Sequence, residues 1–425
     1  MKKKIIIKAF LYLYILFLTS LLSAWAVYHV VYGNGAVFGK KISQSILAYA
    51  SIPSKIKGLL TNREQLLNER LIPDKESRDG FYYLNNYKPD IKGSILISTF
   101  EDDGAIVFKQ FQIATGDKIH QWLVNKETIR LYDKTINLRQ LRMIHPLLLK
   151  DKSIVVSLGA YNSLMRIDSV GKVLWFTREP VHHDIEQDAE GNIWMGSCAS
   201  ESYYFNKSPE YKALDDQICQ INVNTGKVMF KKSIQEILME NNYAYLLAIG
   251  KFEYELTHLN DVQPALLTTK YWNAGDLLIS LRNKSTVFLY RPSTNKIIWL
   301  KTGPWSCQHD CDFADDHTIM VYGNDLIRGP MGEEDVLFNK TNNEYFYDFS
   351  TGKVSTPYEK LFKKEKISTQ TEGLAELLPD GNILIDETNK GRVIIGDTGK
   401  AKIIFTVRAD KKYIKMLNLT RYIPD

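Results

Sequence analysis

Histidine changes protonation state near neutral pH, and either ring nitrogen can take up a proton or a transferred group. Four of the eight histidines stand at one phase of a recurring unit, whose copies open at His145, His183, His258 and Gln308, the last carrying His309. A fixed phase in a repeat means a fixed place in the repeated architecture, so a closed ring of repeats makes these side chains converge. Arg282 ends the apolar run from Leu277 to Leu281, and its planar fork of donors suits a tetrahedral oxyanion such as sulfate or phosphate. Imidazoles and one guanidinium around a cavity fit transfer of an anionic group.

The histidines are not equal candidates. His182 and His183 are neighbours, and neighbours on a strand face opposite ways, so one of them reaches the channel; His183 is favoured. His258 has Asn260 two residues on, sharing its face, and His309 is bracketed by Gln308 and Asp310. His145 precedes Pro146 without a polar companion and is read as a structural or rim residue. His29, His120 and His317 have no supporting context. Cys307, His309 and Cys311 alternate along one strand face and invite a metal reading, but no further cluster supplies the missing ligands. No metal or cofactor is therefore assigned.

The elements that must position these residues are short strands. Turns recur as Thr115-Gly116, Gly171-Lys172, Thr225-Gly226-Lys227, Thr294-Asn295-Lys296, Thr351-Gly352-Lys353 and Thr398-Gly399-Lys400, each leading into a strand. Gly191-Asn192 and Gly381-Asn382 introduce a second class of strand. About four strands per unit at a spacing of roughly 40 to 60 residues predict an all-β fold, a six-bladed β-propeller, over residues 80–425. Ligands bind at the mouth of the central channel in such a ring. Residues 233–256 break the pattern with a predicted surface helix and loop, and residues 199–214 with a polar, tyrosine-rich rim loop.

The N-terminus has a different character. Lys2, Lys3, Lys4 and Lys8 precede an apolar stretch from Ala9 to Val31, about 23 residues and enough to cross a bilayer core of about 30 Å. Residues 1–33 are read as a cytoplasmic tail and transmembrane anchor, with the lysines holding the tail inside. Cleavage after Ala24-Trp25-Ala26 is the rival, but the apolar run continues past it. Residues 34–79 read as a short helical stalk. The body is then exported, anchored at an inner membrane and facing the periplasm.

With 425 residues, 44% hydrophobic and 12% aromatic, the chain can bury a large core, which excludes general disorder. Its 54 basic and 49 acidic residues form no long basic stripe in the body, so nucleic acid is not an expected partner. An oxidising compartment and an even count of cysteines permit two disulfides among Cys198, Cys219, Cys307 and Cys311, with Cys307 and Cys311 closing a local one.

The set His182-His183-Asp184-Ile185, His258-Leu259-Asn260, Ser280-Leu281-Arg282 and Gln308-His309-Asp310, in that order on this repeat, resembles the bacterial arylsulfotransferases that need no nucleotide sulfate donor. The resemblance covers roughly residues 130 to 400. It implies a propeller that moves a sulfuryl group from a phenolic sulfate ester to a phenol through a sulfohistidine, in ping-pong fashion and without cofactor. Carried over, His309 is the nucleophile; His183 and His258 stabilise sulfuryl oxygens or move protons. Arg282 holds the sulfate, and Asn260, His182 and Asn324 contribute to substrate binding. A disulfide close to the nucleophile also occurs in the family and agrees with the pairing of Cys307 and Cys311. The family's phenylalanine-aspartate-asparagine-glycine stretch stands here as Tyr322-Gly323-Asn324-Asp325, and a helical stalk replaces the β-rich N-terminal domain. Two alternatives stay open: an exported glycan or lipid acceptor, and a non-catalytic propeller that binds a ligand or partner.

Overall fold

Leu277–Leu281 shows how the core is built. All five side chains are buried, as in a strand covered on both faces. Leu277, Ile279 and Leu281 pack with Leu259, Val262 and Phe288 against Trp194, Ile218 and the Ile234–Glu240 helix. Leu278 points the other way, into a cluster with Val287, Leu289, Cys311, Ile319 and Val321. Period-two alternation thus sends each strand's side chains into two neighbouring sheets, and full burial of each large aliphatic side chain contributes about 1.5–3 kcal/mol.

In the computed structural model the described residues are 2–31, 42, 45, 46, 49, 71–101, 105–124, 126–134, 144–159, 162–199, 213–250, 254–329 and 335–425. Two units separate, Met1–Glu69 and Arg70–Asp425. The first contains the helix Lys2–Val31. Its segment Leu11–Val30 is long and apolar enough to cross a membrane. Most of the expected stalk lies outside the described residues. Residues 71–79, expected within that stalk, belong to the second unit instead: Leu71–Pro73 pairs with Tyr413–Lys415 as a strand.

The second unit is all-β and propeller-like. Its sheets are antiparallel, most of their neighbours being strands close together in the chain. Leu259–Pro264, Leu277–Leu281, Thr286–Arg291 and Lys296–Thr302 form one sheet of four; Asp310–Phe313, Thr318–Gly323, Asn343–Asp348 and Lys353–Ser355 form the next. Leu374–Leu377, Ile383–Glu387, Arg392–Gly396 and Ala401–Thr406 take Gly80–Tyr83 as a fifth, outer strand. Arg421–Ile423, from the end of the chain, pairs with Ser94–Phe100 and completes the sheet begun by residues 94–124. The two ends of the unit are thereby hydrogen-bonded into one sheet.

Six separate sheets are expected from the turns, and here the structure differs. Among the described residues it has four discrete sheets of four or five strands, one of seven and two two-stranded pairings. The reason is Val173–Gln187, a single 15-residue strand. Its first half pairs with Asn162–Ile167 and its second with Ile193–Ala199, so no turn separates the two sets.

The expected helix in residues 233–256 is present as Ile234–Glu240, with the Ser233 hydroxyl accepting the Glu236 N–H as an N-cap. Ile234, Ile237 and Leu238 are fully buried, so it is a core element and not a surface one. Residues 200–212, most of the expected rim loop, lie outside the described residues.

Candidate active site

His183, His258 and His309 come together although 126 positions separate the first from the last. Their nearest ring nitrogens all lie within 4.8 Å of one another. Ring centroids are 5.3 Å apart for His183 and His258, 5.4 Å for His183 and His309, and 6.4 Å for His258 and His309. Local backbone geometry aims them. His183 and His258 adopt left-handed φ of 59° and 52°, as does His145 at 45°, a conformation that costs a non-glycine residue about 1–3 kcal/mol. Cys307, Glu372 and Leu419 take the same conformation at the approach to inner strands of other sheets. At His183 the strand register also shifts, between Ile185 opposite Met195 and His182 opposite Gly196. The bulge places His183 at the site; the side chain of His182 lies outside the described residues.

Each ring is held by a partner. His258 Nδ1 is hydrogen-bonded to the Glu255 carboxylate, and its Nε2 lies 3.2 Å from His183 Nε2. His309 Nδ1 sits 2.5 Å from the Asn324 side-chain oxygen, which can only accept, so the proton is on Nδ1. Nε2 then carries the lone pair and accepts the Glu372 backbone N–H at 3.1 Å. Asn324 is itself locked, donating to the carbonyls of Thr369 and Glu372 at 3.0 and 2.9 Å. Its expected role in binding substrate is therefore corrected: a fully buried amide with these partners orients His309 and has no face left for a ligand.

Arg282 follows its strand directly, and its backbone N–H donates to the His258 carbonyl at 3.0 Å. The residue is 6% exposed and its Nε has no hydrogen-bond partner. One Nη1 contact to Asn283 Oδ1, at 3.2 Å, holds the fork. A buried guanidinium with unused donors is prepared for an anion. Asn260 is fully buried, and its amide donates to the Gln308 carbonyl at 2.8 Å, tying the His258 strand to the segment that carries His309.

Acidic residues that follow these histidines in sequence also meet. Carboxylate oxygens of Asp184, Asp261 and Asp310 lie within 4.8 Å of one another. Burial pushes Asp184 up to about 7 and raises Asp261 and Asp310 well above the ordinary carboxylate range, with neighbouring carboxylates adding to the latter two. Arg421 is the buried cation among them, bonded to Glu186 at 2.9 Å and 3.1 Å from His145 Nδ1. Burial, with Arg421 beside it, pushes His145 down to about 3, which makes it a neutral structural residue. The three histidines and the three aspartates are both arranged so that a metal could be held. Cys307, His309 and Cys311 are not among such groups of the described residues.

All four cysteines are buried free thiols in this structure, so the expected disulfides are not formed in it. Cys198 is opposite Asp216 and Cys219 opposite Met195 on paired strands. They are offset by three residues, about 10 Å, and face opposite sides, beyond the reach of an S–S bond. Cys311 Sγ contacts Asp261 Oδ2 at 3.3 Å, whereas Cys307 Sγ lies 3.8 Å from the Leu326 carbonyl.

Glu255 and the Glu372 backbone were not found by sequence reasoning. Glu255 stands three residues before His258, a carboxylate–histidine spacing that a turn brings together and that offered the available signal.

The fold is propeller-like, and three imidazoles meet within it. The chain belongs to the arylsulfotransferase (ASST) family, whose model matches residues 145–410, more than half of its length. Among curated proteins the sequence finds no match. Similar solved structures include a protein of unknown function from Bacteroides caccae, at 12% identity and TM-score 0.47 over 78% of this chain and all of that one. Hydrazine synthase from Kuenenia stuttgartiensis has 13% identity and TM-score 0.40 over 75% of this chain and 80% of that one. Virginiamycin B lyase from Staphylococcus aureus has 10% identity and TM-score 0.35 over 67% and 85%.

Proposed function

We propose that the protein moves a sulfuryl group from a phenolic sulfate ester to an acceptor phenol through a sulfohistidine at His309. The observation that carries this reading is the meeting of three imidazoles, with Arg282, whose buried Nε has no hydrogen-bond partner, tied to His258 through its backbone N–H. Arg282 binds the sulfate ester. His309 Nε2 gives up the Glu372 N–H, attacks sulfur, and an N–S bond forms as the bond from sulfur to the aryl oxygen breaks. The departing phenolate takes the proton shared by His183 and His258, and Glu255 stabilises the imidazolium that supplied it. In the second half the acceptor phenol returns a proton to that pair while its oxygen attacks sulfur and releases His309. The Nδ1–H bond to Asn324 keeps His309 in the tautomer this requires.

The same proposal extends to the surroundings. Divided at the middle of Val173–Gln187, the seven-stranded sheet is two four-stranded blades, which makes six in all. Lys2 to Lys4 keep the tail cytoplasmic, the Leu11–Val30 helix stays in the inner membrane, and the body faces the periplasm. That helix favours a second reading for the acceptor, an exported glycan or lipid within reach of the membrane.

The full chain in detergent, incubated with p-nitrophenyl sulfate, is expected to release nitrophenol on addition of phenol. Without acceptor, intact-mass analysis is expected to show one added sulfuryl group, located on His309 and lost in His309→Asn. Turnover by that variant would overturn the covalent route; a folded protein with neither signal would leave a ligand-binding propeller.

A further inference from the structure

The small hairpin that pairs Leu326–Ile327 with Val336–Leu337 has no part in the chemistry above, yet it delivers a charge to the site. Arg328 leaves its first strand, is exposed, and donates from Nη1 to Asn283 Oδ1 at 2.9 Å. Arg282 donates from its own Nη1 to the same oxygen at 3.2 Å. Two nitrogens on one acceptor at those distances are at most about 6 Å apart. The shared oxygen cannot turn away, because the Asn283 amide donates to the Glu255 carbonyl at 2.6 Å.

Two guanidiniums at this range repel, and burial, with the charge of Arg328, holds Arg282 below the usual arginine range against the opposing pull of Cys307, Asp335 and Glu255. An anion bound by both guanidiniums offsets that repulsion. The gap suits one tetrahedral group, whose oxygens are about 2.5 Å apart and each take an N–H at about 2.9 Å.

We propose that Arg328 is a second substrate-binding guanidinium, which with Arg282 cradles the transferred oxyanion, and that Asn283 positions both. This rests on the sulfuryl-transfer reading of the same site. Arg282 supplies the buried wall of the cradle and Arg328 the rim, so an incoming sulfate ester meets the exposed charge first. Asn283 reaches no substrate; it also joins the cradle to Glu255, the partner of His258.

Inorganic sulfate is the probe, titrated by calorimetry and as a competitive inhibitor against p-nitrophenyl sulfate, with the full chain in detergent. Arg328→Gln is expected to weaken sulfate about 10-fold and to lower kcat/KM by a similar factor, mainly through KM. Arg328→Lys is expected to recover part of the loss. Because Arg328 is exposed, its variants are expected to keep the parent Tm. Asn283→Leu is expected to raise KM and weaken sulfate, and adding Arg328→Gln to it to do little more. Unchanged sulfate affinity in Arg328→Gln would overturn the proposal. So would a loss confined to a donor with an added ring carboxylate, which would make Arg328 a reader of a second charge. If His309 gains no sulfuryl group while Arg328→Gln still weakens sulfate, the transfer reading fails and the cradle stands.

Discussion

His183 Nε2 and His258 Nε2 lie 3.2 Å apart, so one of the two rings carries the proton that the other accepts. The Glu255 carboxylate on His258 Nδ1 fixes which atoms face each other. Proton movement between substrate and protein is then a property of the pair and its carboxylate.

Glu255→Gln keeps the shape but removes the charge that stabilises an imidazolium at His258. A fall in kcat of about 10- to 100-fold, equivalent to about 1.4–2.7 kcal/mol, is expected. A variant with the parent kcat would show that Glu255 only packs.

Asn324→Ala takes away the acceptor that puts the His309 proton on Nδ1. We expect kcat to fall by 100-fold or more, as about 10⁴-fold is lost when a triad histidine is held in the wrong tautomer. It also leaves the Thr369 and Glu372 carbonyls without their donor, at a cost of about 1–3 kcal/mol each. The check is sulfuryl labelling of His309 measured below the lowered Tm; full labelling at the parent rate would refute the orienting role.

Stability should fall as pH rises from about 5 to about 8. Burial pushes Asp184 and Asp312 up to about 7 and Glu376 to about 8, and raises Asp261, Asp310 and Glu344 well above the ordinary carboxylate range. Between its unfolded and folded values such a carboxyl holds its proton in the native state and loses it on unfolding, so rising pH favours unfolding. His145, pushed down to about 3, acts in the opposite sense below about 6.5, but it is one group against six. A Tm measured across this range is expected to drop by several degrees, and Asp261→Asn to flatten the slope. A Tm that rises steadily would contradict the burial of these acids.

The four cysteines are expected to react as four thiols in denaturant without reductant, and dithiothreitol to leave Tm unchanged. Two thiols or fewer under those conditions would show that a bond forms despite the separate contacts of Cys307 and Cys311.

The repeat phase alone marked His183, His258 and His309, and the strand before it marked Arg282, because periodic turns and apolar strands are local signals. The propeller class followed from the same turns, and the apolar N-terminal helix from length and composition.

What the tertiary structure decided is everything set by contacts across sheets. The bulge at His182 and His183 arises from pairing with Ile193–Ala199, and nothing in the two-histidine sequence specifies it. The merging of two expected units along Val173–Gln187 depends on a strand staying straight where a turn was expected. Asn324 moved from ligand contact to holding His309 because residues 15 apart meet only once their strands pair. The free thiols follow from register, which places Cys198 and Cys219 three steps apart. Sequence patterns carry the period of a strand; which side chains finally touch depends on register and closure, and those exist only in the assembled ring.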